Sequence, residues 1–272
     1  MYKIRSLQHI GIDIIAETWN LAFSDYIVNT NVTVDELKAY FKISGVDRSM
    51  SFGAFYNDKL IGMLINSVDD YNGVLVAYDA MTGVVREHRS KGVFSFLLEH
   101  TKDVLKSKGI THYYLEVITE NKRAYAIYEN KNAKICRELS VIEGRIDGEC
   151  DFEVKVLPLN VFQKENLSKY APSFGNRMVA LHRNIDNYNI AYVECNNRKA
   201  SVIFSKGGGI SQIMYDGSKD SDLLRNILIY LSQQFEMLRI SNVPITEREL
   251  IDDLLNMGLE ILVNQYEMCI EL

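Results

Sequence analysis

Apolar and polar residues alternate with period two along YKIRSL at the N-terminus, the pattern of a half-buried strand. The next stretch, GIDIIAETWNLAF, changes to the three-to-four-residue spacing of a helix. A second helix is predicted over NVTVDELKAYFKIS, where Thr33 followed three residues later by Glu36 has the form of a capping box. Two apolar runs, SFGAFYN and LIGMLINSV, flank Asn57-Asp58-Lys59 and read as strands joined by a tight turn. VLVAYDAMTGVV is a long β-rich run. A basic segment follows it, then a helix to about Lys108 that Gly109 stops. HYYLEVIT reads as a strand, NKRAYAIYENKN as a helix, and AKICRELSVIEGRI has strand character.

The order β-α-α-β-β-β-α-β-α-β combines a hairpin region with parallel crossovers. It implies an α/β fold with a mixed central sheet and helices on both faces, extending to Asp147. The pattern then begins again. FEVKVLPL resembles YKIRSL, VFQKENLSKYA reads as a helix, and NIAYVECNNRKASVIF reads as two strands around Asn196-Asn197. GISQIMYDG, DLLRNILIYLSQQFEML, RISNVP, ERELIDDLLNMG and LEILVNQYEMCIEL repeat the strand, helix, strand, helix, strand order. A repeat of half the chain means duplicated domains, here expected at residues 1–147 and 148–272 with a short linker near DGECD. Gly207-Gly208-Gly209 reads as a turn, since no helix start follows it at phosphate-loop spacing.

Composition agrees with two folded domains: 272 residues, 47% hydrophobic, 24% charged and three prolines. A formal net charge of −6 argues against a nucleic-acid partner. The N-terminus lacks the order of a signal peptide, and no apolar run approaches the ~20 residues needed to span a bilayer, so no membrane partner is expected. Four cysteines are scattered without a CxxC pair, which speaks against a disulfide framework or zinc site. The expectation is a cytoplasmic protein without a metal; a homodimer is compatible with the sequence.

VVREHRSKGVF, from Val84 to Phe94, joins a strand to a long helix. The first amides of a helix lack internal partners and lie at the positive end of its dipole, which makes an anion site. Gly92 would let a phosphate approach the backbone closely, with Arg89 and Lys91 adding charge. The plainer reading is a solvated basic turn between strand and helix.

This segment resembles the phosphate loop of the Gcn5-related N-acetyltransferases (GNAT): Arg or Gln, two residues, Gly, one residue, then Gly or Ala. Here it runs Arg89-Ser90-Lys91-Gly92-Val93-Phe94, matching at Arg89 and Gly92 and departing at Phe94. Downstream, Asn121, Ala124 and Tyr128 fit the family pattern Asn, two residues, Ala, three residues, Tyr, after a strand containing Leu115-Glu116-Val117. The family's usual Gly-Phe is replaced by Asn132-Ala133. The resemblance covers residues 1–147 and implies a tandem GNAT protein that binds acetyl-CoA and acetylates a primary amine of a small molecule or peptide.

That resemblance also implies roles. Val84, Val85, Arg89, Ser90, Lys91, Gly92, Val93 and Phe94 would hold the cofactor's pyrophosphate and arm. An amide of the Thr82–Val85 segment would polarise the thioester carbonyl. Asn121 would steady the pantetheine region, and Tyr128 would protonate the departing thiolate, although the tyrosine also reads as an amphipathic-helix aromatic. Glu116 is the candidate base, with Asp79 and a water chain as alternatives. Acceptor specificity is expected in AFSDYIVNTNVTVDELKAYF, where Asp25, Tyr26, Asp35 and Glu36 could attract a cationic amine.

In the second half YDGSKDSDLLRN takes the loop's place, offering Asp216, Asp220 and Asp222 to an anion they would repel. Leu254 stands where Tyr128 does. The expectation is a copy that kept the fold and lost the cofactor site. The competing expectation for the whole chain is a CoA- or ligand-binding module without turnover.

Overall fold

The computed structural model describes residues 1–25, 31–71, 73–161 and 167–272. Contacts divide the chain into two compact units built from interleaved segments. Unit 1 is Met1–Glu116, Glu129–Lys134 and Met268–Leu272; unit 2 is Val117–Tyr128 and Ile135–Glu267.

Unit 1 contains β1 (Lys3–Ser6), α1 (Ile12–Phe23), α2 (Val34–Ser44), β2 (Phe52–Tyr56), β3 (Lys59–Tyr71), β4 (Val74–Val84), α3 (Val93–Ser107) and most of β5 (His112–Ile118). The strands stand in the order β1-β2-β3-β4-β5, antiparallel up to β4 and parallel between β4 and β5. Local chemistry sets these elements. Thr33 and Glu36 make the reciprocal capping box that starts α2. Asn57 and Asp58 both take positive φ (48° and 58°), the left-handed pair a two-residue hairpin demands and these two residue types tolerate. One apolar cluster joins Trp19, Leu37 and Phe41 of α1 and α2 to Met63, Ile65 and Met81. A separate one joins Val93 and Leu97 of α3 to Phe52, Ala54 and Ile61, so helices cover both faces of the sheet. The chain's last residues complete this unit, with the Leu272 N–H donating to the Thr111 carbonyl at 2.9 Å.

Unit 2 holds α4 (Lys122–Glu129) up to Tyr128, β6 (Lys134–Gly144) from Ile135, β7 (Lys155–Pro158), α5 (Met178–Leu181), β8 (Tyr188–Cys195), β9 (Arg198–Ser205), β10 (Gly209–Met214), α6 (Ser221–Gln234), β11 (Leu238–Pro244), α7 (Arg248–Asn256) and β12 (Glu260–Glu271) up to Glu267. Its strand order is β12-β6-β11-β10-β9-β8-β7, with β10 and β11 parallel. The core lies along α6, where Leu223, Leu224, Ile227, Leu228 and Leu231 are all buried against sheet residues such as Ile213, Leu238 and Ile240.

Most predicted elements are found. The exception is the helix expected over VFQKENLSKYA. Residues 162–166 lie outside the described residues, and 168–170 form bends, with no helix from Leu167 to Ala171. Side chains replace the helical ladder there: Gln212 Oε1 accepts from the amides of Leu167 (2.7 Å) and Ser168 (3.5 Å), and Arg137 donates to the carbonyls of Ala171 and Pro172. The short α5 and its flanking 3-10 turns (Phe174–Asn176 and His182–Asn187) were not foreseen, being too short for periodicity to register.

Arg137 also forks onto Glu267, Nε to Oε2 at 2.6 Å and Nη2 to Oε1 at 3.0 Å, tying β6 to β12. The Glu267 side chain is only 5% exposed. Removing one partner of such a pair strands the other charge, which costs about 3–5 kcal/mol. Arg137→Ala is therefore expected to lower unfolding stability by about 3–5 kcal/mol in urea titration, far more than Arg5→Ala at the exposed pair with Asp58.

Candidate active site

The segment after β4 turns sharply. A 3-10 turn spans Arg86–His88, Ser90 and Gly92 adopt φ of 60° and 77°, and α3 begins at Val93. A Cβ built on Gly92 meets nothing within 4 Å, so the backbone there faces open space. Among the described residues the amides of Lys91, Gly92 and Val93 have no hydrogen-bond acceptor. Val93 is buried against the sheet and fixes where the helix starts, while Lys91 and Gly92 are exposed and Phe94 is half-buried. These features suit an anion held by backbone donors.

Arg89 is engaged within the protein. Its guanidinium forks onto Asp25 at 2.7 and 2.8 Å, donates to the Ala22 carbonyl at 2.7 Å, and sends Nε to the Val84 carbonyl at 2.9 Å. The hydrogen bond from Arg89 holds the Asp25 carboxyl below the usual range. Arg89 thus ties the loop to the end of α1 and the end of β4.

Beside this loop the sheet parts. The parallel ladder between β4 and β5 comprises Ala77↔Tyr113 and Tyr78↔Tyr114, yet β4 runs on to Val84 and β5 through Glu116. At the same level β4 bulges against β3: Ile65 pairs with Met81 and Asn66 with Asp79, leaving Ala80 as the extra residue. The Val85 N–H donates to the Ile61 carbonyl. By the alternation of an antiparallel ladder, Thr82 and Val84 therefore direct their peptide groups away from β3, toward the gap. Below the parting, a buried network starts at Tyr113, one residue before the last rung. The Tyr113 hydroxyl donates to Asn66 Oδ1 at 2.8 Å, and the Asn66 amide donates to Ser51 Oγ at 2.9 Å.

Asp79, 8% exposed, accepts from the Thr82 hydroxyl at 2.7 Å. Glu116 lies two residues beyond the last rung on β5. Tyr40 of α2 reaches the same place, donating its hydroxyl to the Ala80 carbonyl at 2.5 Å. Burial pushes its phenol up to about 12; a hydrogen bond with Ser44 opposes the shift, and the charges of Asp79 and Glu116 add to it. Sequence reasoning missed Tyr40; its position seven residues past the capping Thr33, inside α2, was the only signal available.

Asn121 precedes α4 and caps it, its Oδ1 accepting from the Ala124 amide at 3.1 Å. Tyr128, 9% exposed, sits in the last turn of α4, and Tyr125 packs on Tyr266 at 5.4 Å. Asn121 and Tyr128 belong to unit 2, whereas Val84 to Phe94 and Glu116 belong to unit 1. Of the acceptor candidates, Asp25 is held by Arg89, Asp35 pairs with Lys38, and Glu36 is engaged in the capping box. Tyr26 lies outside the described residues.

The corresponding turn in unit 2, Gly217–Lys219 before α6, is filled from within. Glu249 of α7 accepts from the Ser218 amide at 2.7 Å, and Asp220 from the Asp216 amide at 3.3 Å. A Cβ on Gly217 would lie 2.6 Å from the Glu249 carboxylate. Asp216 and Asp222 are paired with Lys169 and Arg198. A cavity of about 180 Å³ remains beside the turn, lined by Lys169, Tyr170, Tyr215, Glu247 and Glu249.

A model of the acetyltransferase (GNAT) family matches residues 15–132. Among curated proteins, N-alpha-acetyltransferase 30 of Schizosaccharomyces pombe is 36% identical over 80 residues, covering 29% of this chain and 53% of the relative. N-alpha-acetyltransferase 60 of Xenopus tropicalis is 30% identical over 112 residues, covering 34% and 46%. The chain spans about half the length of these relatives. Among solved structures, a tandem GNAT protein from the clavulanic acid biosynthesis pathway matches with a TM-score of 0.70 at 10% identity, covering 100% of this chain and 98% of that one. A putative acetyltransferase from Pyrococcus horikoshii matches with a TM-score of 0.68 at 14% identity, covering 100% and 89%. Residues 15–132 are thus similar to the acetyltransferase (GNAT) family, in a chain whose fold matches that of a tandem GNAT protein over its whole length.

Proposed function

We propose that this protein is an N-acetyltransferase that moves the acetyl group of acetyl-CoA to a primary amine by direct attack in a ternary complex. The observation that carries the reading is the unpaired edge of β4 running into an open, left-handed Gly92 at the start of α3. An extended pantetheine arm suits the edge, and a pyrophosphate suits the amides of Lys91, Gly92 and Val93. The two relatives named above act, by their names, on α-amines, which supports a peptide N-terminus as acceptor alongside small amines.

Several groups of this chain would then share the work. Holding both reactants side by side supplies the largest part of the acceleration. An amide on the gap side of β4 faces the charge that develops on the thioester oxygen. Glu116 takes the proton of the acceptor amine, with Asp79 as the neighbouring carboxylate. Tyr128, largely buried, gives a proton to the departing thiolate. Asn121 orders the start of α4 by its cap and keeps its amide nitrogen for the pantetheine. Residues 148–272 form a second GNAT-like domain without a phosphate site, since Glu249 and Asp220 already take its loop amides.

Calorimetry with acetyl-CoA, followed by thiol release over small amines and peptides with unblocked N-termini, tests the reading. Absence of acetyl-CoA binding by the intact protein would overturn it, and binding without turnover would favour the ligand-binding module. Tyr128→Phe is expected to lower kcat by about 10²-fold, in the range of general acid–base catalysis, while acetyl-CoA affinity stays within about twofold. Gly92→Glu is expected to weaken acetyl-CoA binding by at least about tenfold, through crowding, repulsion and left-handed strain. Ser218→Glu in the second domain should leave that affinity unchanged. Arg89→Lys, which cannot reproduce the fork on Asp25, should raise KM for acetyl-CoA by about three- to tenfold with kcat nearly constant.

A further inference from the structure

We infer that Tyr40 is a positioning residue, whose hydroxyl holds the Ala80 carbonyl of the β4 bulge and thereby reserves the unpaired edge at Thr82 for an extended ligand. The inference rests on the acetyltransferase reading for its consequence in turnover, and on unit 1 alone for its geometry. Thr82 and Val84 alternate with the residues that bond to β3, so their peptide groups face the gap beyond the last β4–β5 rung, and Ala80 is the extra residue of the bulge. The carbonyls on either side of Thr82's peptide groups are capped by side chains. Tyr40 takes the Ala80 carbonyl at 2.5 Å, and Arg89 takes that of Val84 at 2.9 Å. Between the caps, the N–H and C=O of Thr82 are left to pair with a ligand that lies along the edge as a strand would.

Tyr40 is held for this task from several sides. The capping box of Thr33 and Glu36 fixes where α2 begins. The ring packs edge-on against Trp19 with centroids 5.5 Å apart. The hydroxyl is part-buried, and its bond to the Ala80 carbonyl offsets the loss of water. Without that bond the bulge carbonyl, an acceptor with no ladder partner, turns into the gap and competes for the donors a ligand needs.

Tyr40→Phe removes one oxygen and tests this. The expected result is a kcat lower by about tenfold, the scale of a misplaced reactant, with KM for acetyl-CoA and acceptor within about twofold. Amide exchange in the ligand-free protein should speed up over residues 79–83 and remain unchanged over α3. Unaltered kcat and unaltered exchange in a variant whose near-ultraviolet dichroism matches the parent would overturn the inference. So would a rise in KM with kcat intact. If the unsubstituted protein itself turns over no acceptor, the acetyltransferase reading fails, and the exchange over residues 79–83 alone then decides the role of Tyr40.

Discussion

The separation of β4 from β5 after Tyr78 and Tyr114 is the constraint around which unit 1 is arranged. A sheet interior that stops pairing leaves peptide groups that water or other partners must satisfy, and each orphan left buried costs about 1–3 kcal/mol. The protein meets this on both sides of the break. Below it, Tyr113, Asn66 and Ser51 form a buried chain of hydrogen bonds beside the rung of Ala77 and Tyr113. Above it, Tyr40 and Arg89 cover the carbonyls of Ala80 and Val84, and Asp79 takes the hydroxyl of Thr82. The gap is therefore a maintained feature with assigned neighbours, which frayed strands would lack.

Much of this was legible in the chain itself, and the reasons differ from element to element. Thr33 with Glu36 announces a helix start because a capping box is a strictly local device, and it forms as expected. Asn57-Asp58 and Asn196-Asn197 announce hairpins because left-handed backbone is tolerated by few residue types. Gly92 could be singled out for the same reason. The partner of Arg89 could not, because Asp25 is remote in sequence and the motif gives only the identity of the arginine. Tyr40 was invisible for a related reason: nothing local distinguishes an aromatic that packs on Trp19 from one whose hydroxyl also reaches a strand bulge. Side chains standing in for a backbone ladder, as Gln212 and Arg137 do around Leu167–Pro172, likewise leave no periodic trace, and there a helix was wrongly expected.

The two halves of the chain use one physical opportunity in opposite ways. A turn leading into a helix presents amides with no helical acceptor, and something negative or water must meet them. After β4 those amides face open space beside Gly92. Before α6 the chain brings its own carboxylates, Glu249 to Ser218 and Asp220 to Asp216. An internal carboxylate carries no association entropy, so it outcompetes a ligand of similar intrinsic strength. Acidic residues in YDGSKDSDLLRN are thus more than repellents: Asp220, together with Glu249 from α7, satisfies the donors, while Asp216 and Asp222 are balanced by Lys169 and Arg198.

The placement of Arg89 follows from the same logic of charge. A guanidinium aimed at a pyrophosphate would bind it strongly, but it would also leave the loop without an anchor when no ligand is present. Here four hydrogen bonds from Arg89 reach Asp25 just past α1, Ala22 in α1 and Val84 at the end of β4. The loop is then held in shape before any anion arrives, and the ordering cost of binding is reduced. In the function proposed above, the arrangement would trade a direct ionic contact for a preformed backbone site. Phe94 is compatible with it: a site made of main-chain donors depends on where the helix begins, and buried Val93, packed with Leu97 on Phe52 and Ala54, sets that position.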